Sequence, residues 1–79
     1  MKKQVRPLYE IAAEIKADWN NINFGAVPYL QAMENLRSIE EKYMFDNARS
    51  IVAYFLSNAS TWRGDKAREI KKELNAMLK

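Results

Sequence analysis

Any chemistry in this chain must come from ten carboxylates, thirteen cations and a set of amides and hydroxyls, because the sequence contains no histidine and no cysteine. General acid–base work needs groups whose surroundings drive their pKa values apart. Glu10, Glu14 and Asp18 recur at four-residue spacing, as do Glu69 and Glu73. On a helix that spacing places carboxylates on one face, where their oxygens could hold a divalent cation. A solvated helix face ordinarily carries the same pattern, and that is the reading adopted. A serine nucleophile would lack a histidine base, and nothing in the spacing marks a Ser–Lys substitute. The missing cysteines exclude a disulfide framework and a cysteine-built zinc site. The chain is expected to be non-catalytic, without cofactor or metal.

The most informative stretch is Ser57-Asn58-Ala59-Ser60-Thr61-Trp62-Arg63-Gly64-Asp65-Lys66. Free backbone N–H groups at a helix start after Gly64 would attract a phosphate or nucleotide, with Arg63 and Lys66 adding charge. Asp65 opposes this by placing a carboxylate at the same spot. Serine, threonine and asparagine also serve routinely in caps and turns. Tyr54, Asn58, Ser60, Thr61, Arg63 and Lys66 are the candidate partner- or anion-binding residues. Arg68, Lys71, Lys72 and Lys79 form the alternative set, as phosphate contacts of a helix-turn-helix. The connection is longer than the usual turn of about three or four residues. Asn58-Ala59-Ser60 matches a glycosylation pattern, and Arg63-Gly64-Asp65 spells an integrin-recognition tripeptide. For the tripeptide a structural reading is stronger, with Gly64 closing one helix and Asp65 capping the next.

Four helices are expected to position these groups. The first runs from Pro7 to about Trp19, with Leu8, Ile11, Ala12, Ile15 and Trp19 as its apolar stripe. Asn20, Asn21 and Asn23 break it. The second starts between Phe24 and Pro28 and continues to about Tyr43, burying Leu30, Met33, Leu36 and Ile39. The third begins near Asp46 as N-cap and runs through Ile51, Val52, Phe55 and Leu56 to about Ala59. The fourth follows Gly64, burying Ala67, Ile70, Leu74 and Met77. Trp62 is expected to plug the space between the third and fourth. The fold class that follows is all-α, a compact bundle of about four short helices forming one domain over residues 1–79.

Composition agrees. A 79-residue chain removes only about 60% of its unfolded surface from water, so packing must be dense or subunits must help. With 48% apolar residues, two Trp, four Tyr and three Phe, the material for a core is ample. The net charge of +3 is unevenly spread: residues 1–6 and 63–79 are basic, and 7–62 carry four basic against seven acidic side chains. The basic Met1–Arg6 start is not followed by an apolar run, so it does not read as a signal peptide. The longest apolar run, Ile51–Leu56, is too short for a membrane span. The cysteine-free composition suits a cytoplasmic protein. Trp19, Phe24, Phe55 and Trp62 are expected in the core. Tyr9, Tyr29, Tyr43 and Tyr54 are too many to bury together, which points to a protein partner or a homodimer. Nucleic acid is the alternative partner, and no membrane is expected.

Arg6-Pro7-Leu8-Tyr9-Glu10-Ile11-Ala12, Val27-Pro28-Tyr29-Leu30 with Ala32-Met33, and Tyr54–Gly64 with Ala67-Arg68 and Ile70-Lys71 carry a likeness over most of the chain. In these residues the sequence resembles small, mostly uncharacterised helical proteins carried by phages, plasmids and other bacterial mobile elements. The resemblance implies an accessory protein acting on a host or defence component. The basic ends argue against mimicry of DNA by overall negative charge.

Overall fold

The computed structural model describes residues 6–44 and 46–79. They form α1 (Leu8–Asp18), a 3-10 turn (Phe24–Ala26), α2 (Val27–Met33), β1 (Lys42–Tyr43), β2 (Asp46–Asn47), α3 (Ala48–Ser57) and α4 (Asp65–Leu78). The described residues are thus mostly helical, with four helices and one small antiparallel hairpin, where Lys42 pairs with Asn47 and Tyr43 with Asp46. The expected helical architecture is present, and the two-residue strands of the hairpin are an addition to it. The basic Lys2 and Lys3, and with them all of the Met1–Arg6 start but Arg6, lie outside the described residues.

α1 matches its expected bounds, with Leu8, Ile11, Ala12 and Ile15 fully buried. Pro7 stands at its N-cap and offers no side-chain acceptor for the free N–H groups of the first turn. A distant segment supplies acceptors instead. Leu8 N–H donates to the Arg37 carbonyl at 3.2 Å and Tyr9 N–H to the Leu36 carbonyl at 2.9 Å.

That task explains why α2 stops at Met33 rather than near Tyr43. Leu36 and Arg37 must leave helical geometry to turn their carbonyls toward α1. Leu36 is still buried, while Ile39 and Tyr43 are only half-buried. Leu30, Met33, Leu36 and Ile39 stand at strict three-residue intervals, and an α-helix turns only about 300° in three residues. After nine residues the pattern would face the opposite side.

Two cap assignments also shift. Asn47, not Asp46, caps α3, its side chain accepting from Ser50 N–H at 2.8 Å. Gly64 occupies the N-cap position of α4 with φ of +114°, and Asp65 is the first helical residue. Gly64 closes no helix, since α3 has ended at Ser57. At the other end of α4, the Arg49 guanidinium donates to the Met77 and Leu78 carbonyls at 3.3 and 3.4 Å, where a cation also suits the helix dipole.

The core joins all four helices through Leu8, Ile11, Met33, Phe55, Ile70 and Leu74. No buried side-chain nitrogen or oxygen among the described residues lacks a hydrogen bond. No helix among them is long and apolar enough to cross a membrane.

At the hairpin tip, Met44 takes φ of +59° while 81% exposed. A side chain with a Cβ is disfavoured there, and asparagine tolerates it best after glycine. Met44→Asn is expected to raise stability by about 0.5–1 kcal/mol, measured as a higher melting temperature. An unchanged or lower value would count against strain at this position.

Candidate functional site

Beneath the Asn58–Gly64 connection lies an aromatic nucleus. Trp19 and Trp62 stack with centroids 5.6 Å apart and planes at 14°, and Phe55 meets both edge-on at 6.2 and 6.5 Å. Trp62 is 2% exposed, and its indole N–H donates to Asp18 at 2.9 Å. It therefore fills the space between the end of α1 and α3, with α4 alongside through Lys71. The Lys71 ammonium donates to the Trp62 carbonyl at 2.7 Å and stands 5.9 Å from the centre of its ring. Burial, and then the nearby Arg63 charge, hold the Lys71 pKa below the ordinary lysine range.

Asn58 ties the connection to the rest of the molecule. Its side-chain amide donates to the Tyr54 carbonyl at 2.8 Å, and its own carbonyl accepts from the Asn23 side chain at 2.9 Å. These bonds hold the Phe24–Ala26 turn against the end of α3, with the Gly25 backbone closely apposed to the Asn58 side chain. A Cβ on Gly25 would lie 2.8 Å from Asn58 Oδ1. Gly25→Ala is expected to cost about 1 kcal/mol, from overpacking that a fixed amide cannot relieve. Adding Asn58→Ala should recover part of that loss in paired thermal melts. A single variant as stable as the parent would refute the contact.

Several large aromatic side chains near this clamp are exposed. Tyr54, 54% exposed on α3, packs against the half-buried Tyr29 of α2 with ring centroids 5.4 Å apart. Phe24, expected in the core, is 90% exposed. Ala26 rather than Phe24 is the buried residue of the 3-10 turn, so the phenyl ring points to solvent. Tyr9 is also exposed, whereas Tyr43 is half-buried.

The remaining predicted site residues are not gathered into one pocket. Ser60, Thr61 and Arg63 are exposed on the connection. Lys66 lies 3.7 Å from Glu14 and 3.8 Å from Glu69, which draws its charge away from the α4 N-terminus. Arg68 pairs with Asp65, and Lys71 is held at Trp62 as described. Lys72 and Lys79 are exposed.

Sequence spacing invited a cation between the carboxylates of α1, and the structure supplies one from the chain itself. The Arg6 guanidinium forks onto Glu73 at 3.0 and 2.8 Å and also contacts Glu14 and Glu10. It joins the start of α1 to the outer face of α4. Hydrogen bonds to Glu73 and then Glu14 raise the Arg6 pKa beyond its ordinary range, and the Arg6 bond is the main cause lowering that of Glu14. Among the described residues, no three His, Cys, Asp or Glu side chains converge as a metal site.

Phe24 is the surface residue that the sequence reading misplaced. A signal existed in the charges: positions 19–33 and 50–62 contain no Asp, Glu, Lys or Arg. Helices α2 and α3, which those stretches build, pack directly against each other. Most of α2 and α3 is therefore free of charged side chains, Arg49 in the first turn of α3 being the exception. No protein-family model, curated protein or solved structure matches this chain.

Proposed function

We propose that this chain is a non-catalytic protein-interaction module, built as a compact helical bundle, whose binding surface lies around Phe24, Tyr29 and Tyr54. One observation carries the reading: a phenyl ring left 90% exposed, in a turn that packs on α2 and α3, the helices that carry the Tyr29–Tyr54 pair. Large aromatic rings left in water are where partners gain most on burial. Asn58, bonded to Tyr54 and Asn23, adjoins these side chains, and the exposed Ser60, Thr61 and Arg63 follow it on the connection as candidate polar contacts. The resemblance to phage and plasmid proteins extends the proposal to an accessory protein acting on a cytoplasmic host or defence component.

The test compares tagged wild type with Phe24→Ser and Tyr54→Ser in affinity capture and cross-linking. A specific protein, another chain or a second copy, should be retained by wild type and lost from both variants. Identical recovery by all three chains would defeat the proposal. The competing reading, nucleic-acid binding by α4, has less to draw on, because Lys66, Arg68 and Lys71 already have partners within the chain. A salt-sensitive mobility shift lost in Lys72→Gln would favour that reading instead. A nucleotide or phosphate at the start of α4 would have to displace Lys66 from its carboxylates, and would show as a thermal shift with phosphate or nucleotides.

A further inference from the structure

We propose that Lys71 is an acyl-acceptor site, its amine taking the acyl group of a small acyl phosphate whose phosphate is held by Arg63. Among the lysines of the described residues, Lys71 alone is half-buried; Lys16, Lys42, Lys66, Lys72 and Lys79 are exposed. Its partners also differ from theirs. Lys16 and Lys66 reach carboxylates at 2.6 and 3.7 Å. Lys71 donates instead to an uncharged acceptor, the Trp62 carbonyl at 2.7 Å, with its nitrogen 5.9 Å from the indole centre. The Asp18 carboxylate that meets the same indole is spent on the ring N–H. Arg63 follows that carbonyl in the chain and sets a second cation beside the first.

An ammonium placed there loses water without gaining a negative partner. Partial burial and a neighbouring guanidinium both favour the neutral amine, and these are the two conditions that turn a lysine into a nucleophile. The carbonyl and the ring face favour the charged form, but neither carries a full charge, and the net direction is downward. The bond to Trp62 also fixes the amine. One N–H stays on the carbonyl, and the lone pair uncovered by deprotonation points away from that bond. A lower pKa weakens intrinsic nucleophilicity, but by less than it raises the unprotonated fraction, as thiols show.

Arg63 sets the class of donor. It is exposed and, among the described residues, has no carboxylate partner, unlike Arg68, which pairs with Asp65. A free guanidinium next to an amine suits an acyl group carried on a phosphate. The amine attacks the acyl carbon. The C–N bond forms as the C–O bond to phosphate breaks, inorganic phosphate leaves, and the amine proton passes to it or to water. The product amide keeps one N–H for the Trp62 carbonyl and has no charge for the ring. Acylation therefore weakens the tie between α4 and the connection that carries Ser60, Thr61 and Arg63.

The full chain treated with acetyl phosphate near neutral pH, with acetylation followed at each lysine by peptide mass spectrometry, tests this. Lys71 should react several-fold faster than Lys72, its exposed neighbour on α4, and its rate should level off at a lower pH. In urea the two should react alike. Arg63→Gln alters an exposed side chain, so circular dichroism should be unchanged, yet the Lys71 rate should fall several-fold and level off at a higher pH. With acetic anhydride, a donor without phosphate, the same variant should lose less. A Lys71 rate equal to or below that of Lys72 in the folded chain would overturn the site. Equal losses with both donors would overturn Arg63 as the phosphate contact, and with it the acyl phosphate as donor.

Discussion

Replacing Trp62 with alanine is expected to remove about 3–5 kcal/mol of stability, enough to leave much of a small domain unfolded at room temperature. The indole contributes at three points at once. It stacks on Trp19, meets the edge of Phe55, and donates its N–H to Asp18. Its ring also lies under the Lys71 ammonium. Removing it opens a cavity between the end of α1 and α3 that no neighbouring side chain can fill without moving a helix end. Stabilities of folded domains run only to about 5–15 kcal/mol, so the loss is a large fraction of the total. Trp62→Phe separates the contributions in part, since it keeps an aromatic ring in the slot while removing the indole N–H and the second ring. That variant should cost less than half as much, because exposed Asp18 can turn to water. Urea unfolding with unchanged slope would read both values. A Trp62→Ala chain within 1 kcal/mol of the parent (about that or less) would mean that the stack is not a support of the fold.

Three of the helices were legible from spacing alone because their stripes follow the 3.6-residue period and start beside recognisable residues: Pro7 before α1, Gly64 before α4, and for α3 the Asp46-Asn47 pair, of which Asn47 rather than the expected Asp46 is the cap. The second helix was not, because its end is set by a contact far away in sequence. Leu36 and Arg37 give their carbonyls to α1, and no local feature announces that demand. The hairpin follows from the same cause, since a chain that leaves the helix at Met33 must travel back to start α3. It does so through two short paired strands. The Ala48 N–H adds a bond to the Glu41 carbonyl beside them.

Side chains of the candidate site divided along similar lines. Trp19, Phe55 and Trp62 were expected inside and are inside, since their size and placement beside apolar stripes leave little choice. Phe24 has the same apolar character and lies outside. What decides its position is the Asn23–Asn58 bond and the close approach of Gly25, neither of which has a sequence signature. The cations of α4 show the limit of counting charge. Arg68, Lys71 and Lys72 look alike in sequence, yet one pairs with Asp65, one is folded onto Trp62, and one is exposed.

The other large effect concerns Arg6, whose place in a basic end of the sequence gives no sign of its carboxylate partners. Arg6→Ala is expected to cost about 1–2 kcal/mol near neutral pH, the range for a network of charge-assisted hydrogen bonds that solvent partly screens. Glu73 and Glu14 would each lose their principal cation, leaving like charges of α1 and α4 facing each other. The dependence on pH identifies the cause. Glu14 titrates below the ordinary carboxylate range because the Arg6 bond favours its charged form, with Lys66 aiding and burial opposing. A group with a depressed folded pKa stabilises the fold above its unfolded value, about 4.3 for glutamate, and that contribution disappears as pH falls through the folded value. Arg6 stays protonated throughout, so it adds no second transition. The stability gap between wild type and Arg6→Ala should therefore be widest at pH 6–8 (about that interval) and shrink steadily below about pH 4. Chemical denaturation at a series of pH values measures the gap directly. A gap that stays constant down to about pH 3 would assign the loss to packing of the arginine stem rather than to its charge.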